Sequence, residues 1–156
     1  MRKVRIVCVG NTKDDYIKTG CGIYQKRLKR YCDFKFEYIK ESNQRDKSST
    51  KALCEEEARL QKIVTPGQWN ILCDDQGESL TSTSLAQKFS LWTNRGNSHF
   101  NFLIGGAYGV SDTVKQQANY ILSLSRLTLT HQMVRLLLIE QIYRSFTIIK
   151  GENYHH

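Results

Sequence analysis

The chain has a single proline, Pro66. Proline breaks helices and interior strands, so its near absence leaves long regular elements free to form and excludes a proline-rich linker. Paired cysteines are also missing. Cys8, Cys21, Cys32, Cys54 and Cys73 are odd in number and scattered, with no C-x-x-C. Zinc sites and disulfide frameworks need close, paired spacings, so neither is expected; the cysteines read as reduced, small hydrophobes. No apolar run approaches the ~20 residues of a membrane span. The opening MRKVRIVCVG is too short in apolar length for a secretory signal and reads as a strand, which points to the cytoplasm. Two nucleotide signatures are absent as well: G-x-G-x-x-G and G-x-x-x-x-G-K-[ST]. Their absence weakens the reading of a small-molecule enzyme that uses a nucleotide. No cluster of metal-ligand residues occurs, so no metal is expected.

What is present is globular and basic. Hydrophobic residues make up 40% of 156, enough for one domain spanning 1–156 with a real core. Lys and Arg number 23 against 15 acidic residues, a net charge of +8 that favours a polyanionic partner such as nucleic acid.

Periodicity organises the chain as alternating strands and helices. Val4–Val9 is a β-branched run ending at Gly10, and Asp14–Arg30 suits an amphipathic helix whose outer face carries Lys26, Arg27, Lys29 and Arg30. A strand at 34–38, a polar loop at 41–50 and a helix at 51–63 follow, stopping before Pro66-Gly67. Trp69–Cys73 is a third strand running into the turn Asp74-Asp75-Gln76-Gly77. A helix capped by Ser82 or Ser84 reaches Trp92. Phe100–Ile104 is a fourth strand, Ser111 caps a short helix, Tyr120–Leu124 is a fifth strand, and a long helix covers 131–149. This alternation predicts an α/β fold: a mostly parallel sheet with helices on both faces.

In such sheets ligands settle beyond the carboxyl ends of the strands. Three segments occupy that place: Cys73–Gly77, Gly105-Gly106-Ala107-Tyr108-Gly109, and Ser125–Thr130. Glycine lets main chain approach a ligand, although a short glycine cluster also makes ordinary turns. The last helix carries an apolar band, from Met133 to Ile149, wider than one sheet face covers; a symmetric dimer accounts for the excess. Beyond it lies a tail with Tyr154, His155 and His156, next to a helix bearing Arg144. Histidine gains and loses a proton near neutrality, which makes this end a candidate for proton transfer.

Taken in order, Leu103-Ile104-Gly105-Gly106-x-x-Gly109, Leu122-Ser123-Leu124-Ser125-x-Leu127-Thr128-Leu129-x-His131-Gln132-x-Val134-Arg135, Glu140-Gln141-Ile142-Tyr143-Arg144 and Tyr154-His155 resemble one family. It is the small SPOUT-class bacterial methyltransferases that act on N3 of a pseudouridine in large-subunit (23S) ribosomal RNA, the RlmH family. The resemblance spans the chain and is most specific from Leu103 to His155. It implies a C-terminal deep trefoil knot, which sequence physics alone never proposes. It implies S-adenosyl-L-methionine as cofactor, ribosomal RNA within the ribosome as partner, and a homodimer. Carried over residue by residue, the donor pocket is Cys73, Gly106, Ser125, Arg126, Leu127, Thr128, Leu129 and Thr130; the catalytic residues beside the target base are Arg144, Tyr154 and His155. Two positions depart from the family pattern: His156 stands where Arg or Lys is common, and Thr130 where Pro is frequent. The competing reading is a non-catalytic, basic RNA- and ribosome-binding dimer on the same scaffold.

Overall fold

The computed structural model describes all residues, 1–156. Five strands, β1 (Lys3–Val9), β2 (Asp33–Ile39), β3 (Trp69–Ser79), β4 (His99–Ile104) and β5 (Tyr120–Ser123), form one sheet in the order β2-β1-β4-β3-β5. Every pairing is parallel. The helices between them are α1 (Asp15–Leu28), α2 (Thr50–Gln61), α3 (Ser82–Asn94) and α4 (Asp112–Gln117); α5 (Met133–Ile149) closes the chain.

A parallel strand needs a crossover, and crossovers of one hand place a helix on one face when the chain steps left and on the other when it steps right. The chain steps left from β1 to β2 and from β3 to β4, and right from β2 to β3 and from β4 to β5. Accordingly α1 and α3 pack on one face together with α5, and α2 and α4 on the opposite face. The first face holds the larger core: Val4, Ile6, Phe100, Phe102 and Ile71 meet Ile17, Phe89, Leu138, Ile142 and Phe146. The second holds Val7, Val9, Leu72 and Leu103 against Leu60 and Val114. Burial on both sides explains why β1 and β4 read as largely apolar runs, interrupted by Arg5 and Asn101, which bond to each other. No helix is long and apolar enough to cross a membrane.

Three local expectations change. The segment Asp74–Gly77 is not the end of the third strand. β3 leaves the ladder after Cys73 and returns to it at Glu78, both residues facing Leu122, so the strand continues to Ser79 after a four-residue excursion. The acidic, glycine-ended sequence reads as a turn, but it is a bulge inside a continuous strand. The cap of α3 is Thr81, whose Oγ1 accepts from Ser84 N at 3.1 Å, so neither Ser82 nor Ser84 caps it. Ser111 does cap α4, its Oγ accepting from Val114 N at 3.3 Å. Lastly, β5 stops at Ser123 and α5 starts at Met133, each within two residues of the expected bounds.

Candidate functional site

The carboxyl ends of β3, β4 and β5 open into a cavity of about 580 Å³. That volume is ordinary for a small-molecule site, and its position is where open α/β sheets bind ligands. All three sequence-predicted segments line it: Cys73, Asp74 and Asp75; Ile104 through Ala107 with Gly109 and Val110; and Leu122 through Gln132 except Arg126. Arg126 is exposed and does not line the cavity, so the loop's only guanidinium belongs outside the pocket. Cys73, Gly106, Ser125, Leu127, Thr128, Leu129 and Thr130 all line this one cavity.

Each loop is shaped by its own short-range bonds. Ser125 Oγ accepts from Leu127 N at 2.9 Å, and Ser123 Oγ donates to Ser125 O at 3.0 Å. Thr130 Oγ1 accepts from Met133 N at 3.1 Å and its carbonyl from Val134 N, so this threonine satisfies orphan donors at the start of α5. A proline at that position has no hydroxyl to do so. The glycine turn is locked at Gly105, where a Cβ would sit 2.8 Å from Gly109 O and 2.9 Å from Val110 Cγ1. At Gly106 a Cβ would make only ordinary contacts, 3.6 Å from Glu56 Oε2 and Val9 Cγ1, pointing toward α2. The steric need for glycine therefore lies at Gly105 and not at Gly106.

The cavity's charge is opposite to that of the whole molecule. Asp14, Asp74 and Asp75 line it, and only Asp74 has a cation within 4 Å, Lys115 Nζ at 3.3 Å from its Oδ2. Burial pushes the Cys73 thiol well above the ordinary range, helped by Cys8 and Asp74, so it stays an uncharged thiol and not a nucleophile. His131 also lines the cavity; burial, then the Arg135 guanidinium, lower its pKa below the ordinary 6.5 and favour the neutral ring.

Beneath the loop 125–132 is a polar clamp. Arg135 is fully buried, donating from Nη1 to Thr12 Oγ1 and from Nη2 to Val9 O, both at 3.0 Å, with no carboxylate within 4 Å and Nε unpartnered. Gln132 accepts from Lys13 N at 2.9 Å and donates to Asn11 O at 3.0 Å. These two side chains fix residues 9–13, and so carry Asp14 to the cavity wall. Asp14 escaped sequence reasoning, and His131, Gln132 and Arg135, although they stand in the motif that carries the resemblance, were given no role there; their spacing puts Gln132 and Arg135 near one helix face.

Arg144, Tyr154 and His155 are brought together, but not at this cavity. Arg144 Nη1 lies 3.4 Å from His155 Nδ1, and its guanidinium carbon 4.6 Å above the Tyr154 ring. Glu140, missed by sequence reasoning although its i,i+4 spacing to Arg144 was legible, holds the group: its Oε1 accepts from Arg144 Nε and Nη2 at 3.0 and 2.6 Å and from Tyr154 Oη at 3.1 Å. Burial, the Tyr24 hydroxyl 3.3 Å away and Glu140 raise the Tyr154 pKa well beyond that of free phenol, so it stays protonated at neutral pH. Val134 lines the cavity while Arg144 lies ten residues along the same helix, about 15 Å at the α-helical rise. Within one chain the cavity and the tail cluster are separate.

The chain resembles known proteins over nearly its whole length. A family described as "Predicted SPOUT methyltransferase" matches residues 2–155. A Geobacter sp. (strain M21) protein named "Ribosomal RNA large subunit methyltransferase H" is 42% identical over 155 residues, covering 99% of each chain. A Cytophaga hutchinsonii protein of the same name is 42% identical over 154 residues, again at 99% of each. Among solved structures, a probable methylase family protein from Haemophilus influenzae Rd KW20 superposes with a TM-score of 0.59 at 11% identity, covering 98% of this chain and 70% of that one. A probable methyltransferase from Bordetella pertussis Tohama I gives 0.57 at 9% identity, with 92% and 95% covered. At such identities the structures speak for the fold alone.

Proposed function

The chain belongs to the SPOUT methyltransferase family, and from that premise we propose that it methylates N3 of a pseudouridine in large-subunit (23S) ribosomal RNA, using S-adenosylmethionine. The cavity at the ends of β3, β4 and β5 carries this reading, because its chemistry suits that donor. A sulfonium and an ammonium enter a pocket walled by three carboxylates in an otherwise basic protein, while Leu122, Leu124, Leu127, Leu129 and Val134 supply apolar surface. Cys73, Gly106 and the main chain of Ser125–Thr130 would hold the donor; Arg126 stays outside. When bound, S-adenosylmethionine supplies a methyl group activated by the sulfonium.

The rest falls to the chain's own side chains. The N3 of a uracil-like ring is an imide N–H and needs a base before it becomes a nucleophile; such a base contributes ~10²–10⁴-fold. His155 is that base in this reading. Tyr154, kept as a phenol, donates a hydrogen bond and orients the ring. Arg144 offers Nη1, the nitrogen Glu140 leaves unengaged, to the negative charge that develops on the ring oxygens.

Because cavity and tail cluster are far apart in one chain, the reading includes a homodimer in which the tail of one copy meets the cavity of the other. An incompletely covered apolar surface supports it: Tyr16 is 62% exposed and Ile23 47% on α1, and Leu137 38% on α5. It includes the trefoil knot too, in keeping with the grip of Gln132 and Arg135 on residues 9–13, and a place in the cytoplasm on the ribosome. A mixing experiment tests the whole. Gly105→Ala, assayed at a donor concentration its distorted turn no longer binds, and His155→Ala, with an intact cavity but no base, are each expected to be inactive alone. Co-expressed as heterodimers they regain a fraction of wild-type transfer; continued silence of the mixed dimer contradicts the shared site.

A further inference from the structure

On one side of the molecule basic side chains form a ridge over a row of aromatic rings that runs outward from the core, where Phe146 and Tyr143 are buried, to the half-buried Tyr24, Tyr31 and Tyr154. Phe146 stacks on Tyr31 at 5.5 Å between centroids; Tyr31 meets Tyr143 at 5.9 Å, and Tyr143 meets Tyr24 at 5.8 Å and Tyr154 at 4.8 Å. Four guanidinium groups lie over these rings: Arg2 over Phe146 at 5.8 Å, Arg30 over Tyr31 at 4.8 Å, Arg27 over Tyr24 at 5.3 Å, and Arg144 over Tyr154 at 4.6 Å. Lys26 and Lys29 are exposed in the same last turns of α1.

The charge of this ridge is largely unbalanced. Only Arg30 and Arg144 have carboxylates within 4 Å, Glu152 and Glu140; Arg2, Lys26, Arg27 and Lys29 have none. Crowded like charges repel, so the arrangement costs stability unless an anion relieves it. The rings supply what a loose lysine patch lacks. Each guanidinium lies over a ring, which leaves little conformational entropy to lose on binding; Arg30 and Arg144 also spend N–H groups on Glu152 and Glu140, whereas Arg2 and Arg27 have no carboxylate partner. The ridge ends at Arg144 and His155, so a polyanion lying along it reaches the tail cluster.

We propose that this ridge, with Lys26, Arg27 and Lys29 at its centre, is the docking surface for the phosphate backbone of the substrate RNA. The inference rests on the RNA-methylating reading above and adds where the polymer lies: across the basic end of α1, at Lys26, Arg27 and Lys29, leading to the tail of the same copy. Phosphate contacts place the chain without reading its sequence, and the unmatched target base is then presented to the tail.

The test compares two triple variants of equal charge. Lys26→Gln/Arg27→Gln/Lys29→Gln removes the ridge centre; Lys35→Gln/Lys51→Gln/Lys62→Gln removes three exposed cations on β2 and around α2. Binding of transcribed large-subunit ribosomal RNA is followed by filter retention from 50 to 300 mM salt, with the dimer checked by sedimentation and donor affinity by calorimetry. Losing three phosphate contacts lowers the slope of log K against log salt by about 2 and weakens binding by roughly tenfold or more at 0.1 M. That change in the ridge variant alone, with donor affinity and dimer intact, is the expected result. Equal losses in both variants, or none in either, overturn the ridge. Dissociation of the dimer by the ridge variant assigns those residues to the contact between copies and also overturns it. If the wild-type protein binds donor but no RNA at any salt, the RNA-methylating reading itself falls, and the ridge with it.

Discussion

Glu140 Oε1 grips Arg144 through two nitrogens, Nε at 3.0 Å and Nη2 at 2.6 Å, and accepts from Tyr154 Oη at 3.1 Å with the same atom. One carboxylate oxygen thus fixes both an arginine and the tyrosine of a chain-end tail. Without it the guanidinium and the tail are free to move apart, and two charge-assisted bonds are lost at a partly buried site. Glu140→Gln is expected to lower kcat for methyl transfer by about ten- to a hundredfold while leaving donor affinity unchanged. Single-turnover rates and calorimetry on the same preparation check this. A variant that transfers at the wild-type rate removes Glu140 from the account.

The glycine turn yields a sharper contrast. A methyl group at Gly105 would collide with Gly109 O at 2.8 Å, a main-chain atom that cannot rotate aside, whereas one at Gly106 meets nothing closer than 3.6 Å. Gly105→Ala is expected to weaken donor binding by at least tenfold in titration calorimetry as the turn is forced open. Gly106→Ala should bind within a few-fold of wild type. The reverse order would place the close approach of main chain to ligand at Gly106 instead.

Acid should destabilise the fold through His131. Its folded pKa is lowered by burial first and by Arg135 second; Lys13 also lowers it and Glu41 alone raises it. The unfolded chain therefore binds a proton more readily than the folded one, and stability rises with pH in this range. The contribution is fully present above about pH 6.5 and is lost as pH falls from there through the lower folded value. Urea unfolding at pH 7.5 and 5.5 measures it. His131→Gln should show a smaller loss between the two pH values than wild type; an identical loss means that other groups carry the acid sensitivity.

Much of the fold was legible because its signals are local. The buried runs Val4–Val9 and Phe100–Ile104 and the Ser111 cap announce themselves within a few residues. So was the wall of the cavity, since strand-end loops with glycines and hydroxyls fall at the rim of any parallel sheet. Other features were not. The return of β3 to the ladder at Glu78 depends on its pairing with Leu122, far along the chain. The importance of Gly105 over Gly106 depends on the carbonyl of Gly109 folding back. Arg135 looks like a surface residue in sequence and is fully buried, because Val9 O and Thr12 Oγ1 wait for it across more than a hundred residues. The separation of Arg144, Tyr154 and His155 from the cavity is likewise a matter of distance along α5, which a list of motifs does not contain.

Transfer itself is the most direct measurement. Purified dimer is incubated with S-adenosylmethionine carrying a labelled methyl group and with large-subunit ribosomal RNA, in ribosomes and free, prepared with and without pseudouridine. Label is expected only where pseudouridine is present, recovered on nucleoside digestion as the N3-methyl derivative, and lost in His155→Ala although that variant still binds donor. A folded protein that binds S-adenosylmethionine yet labels no RNA, or labels uridine and pseudouridine substrates alike, contradicts the proposed activity.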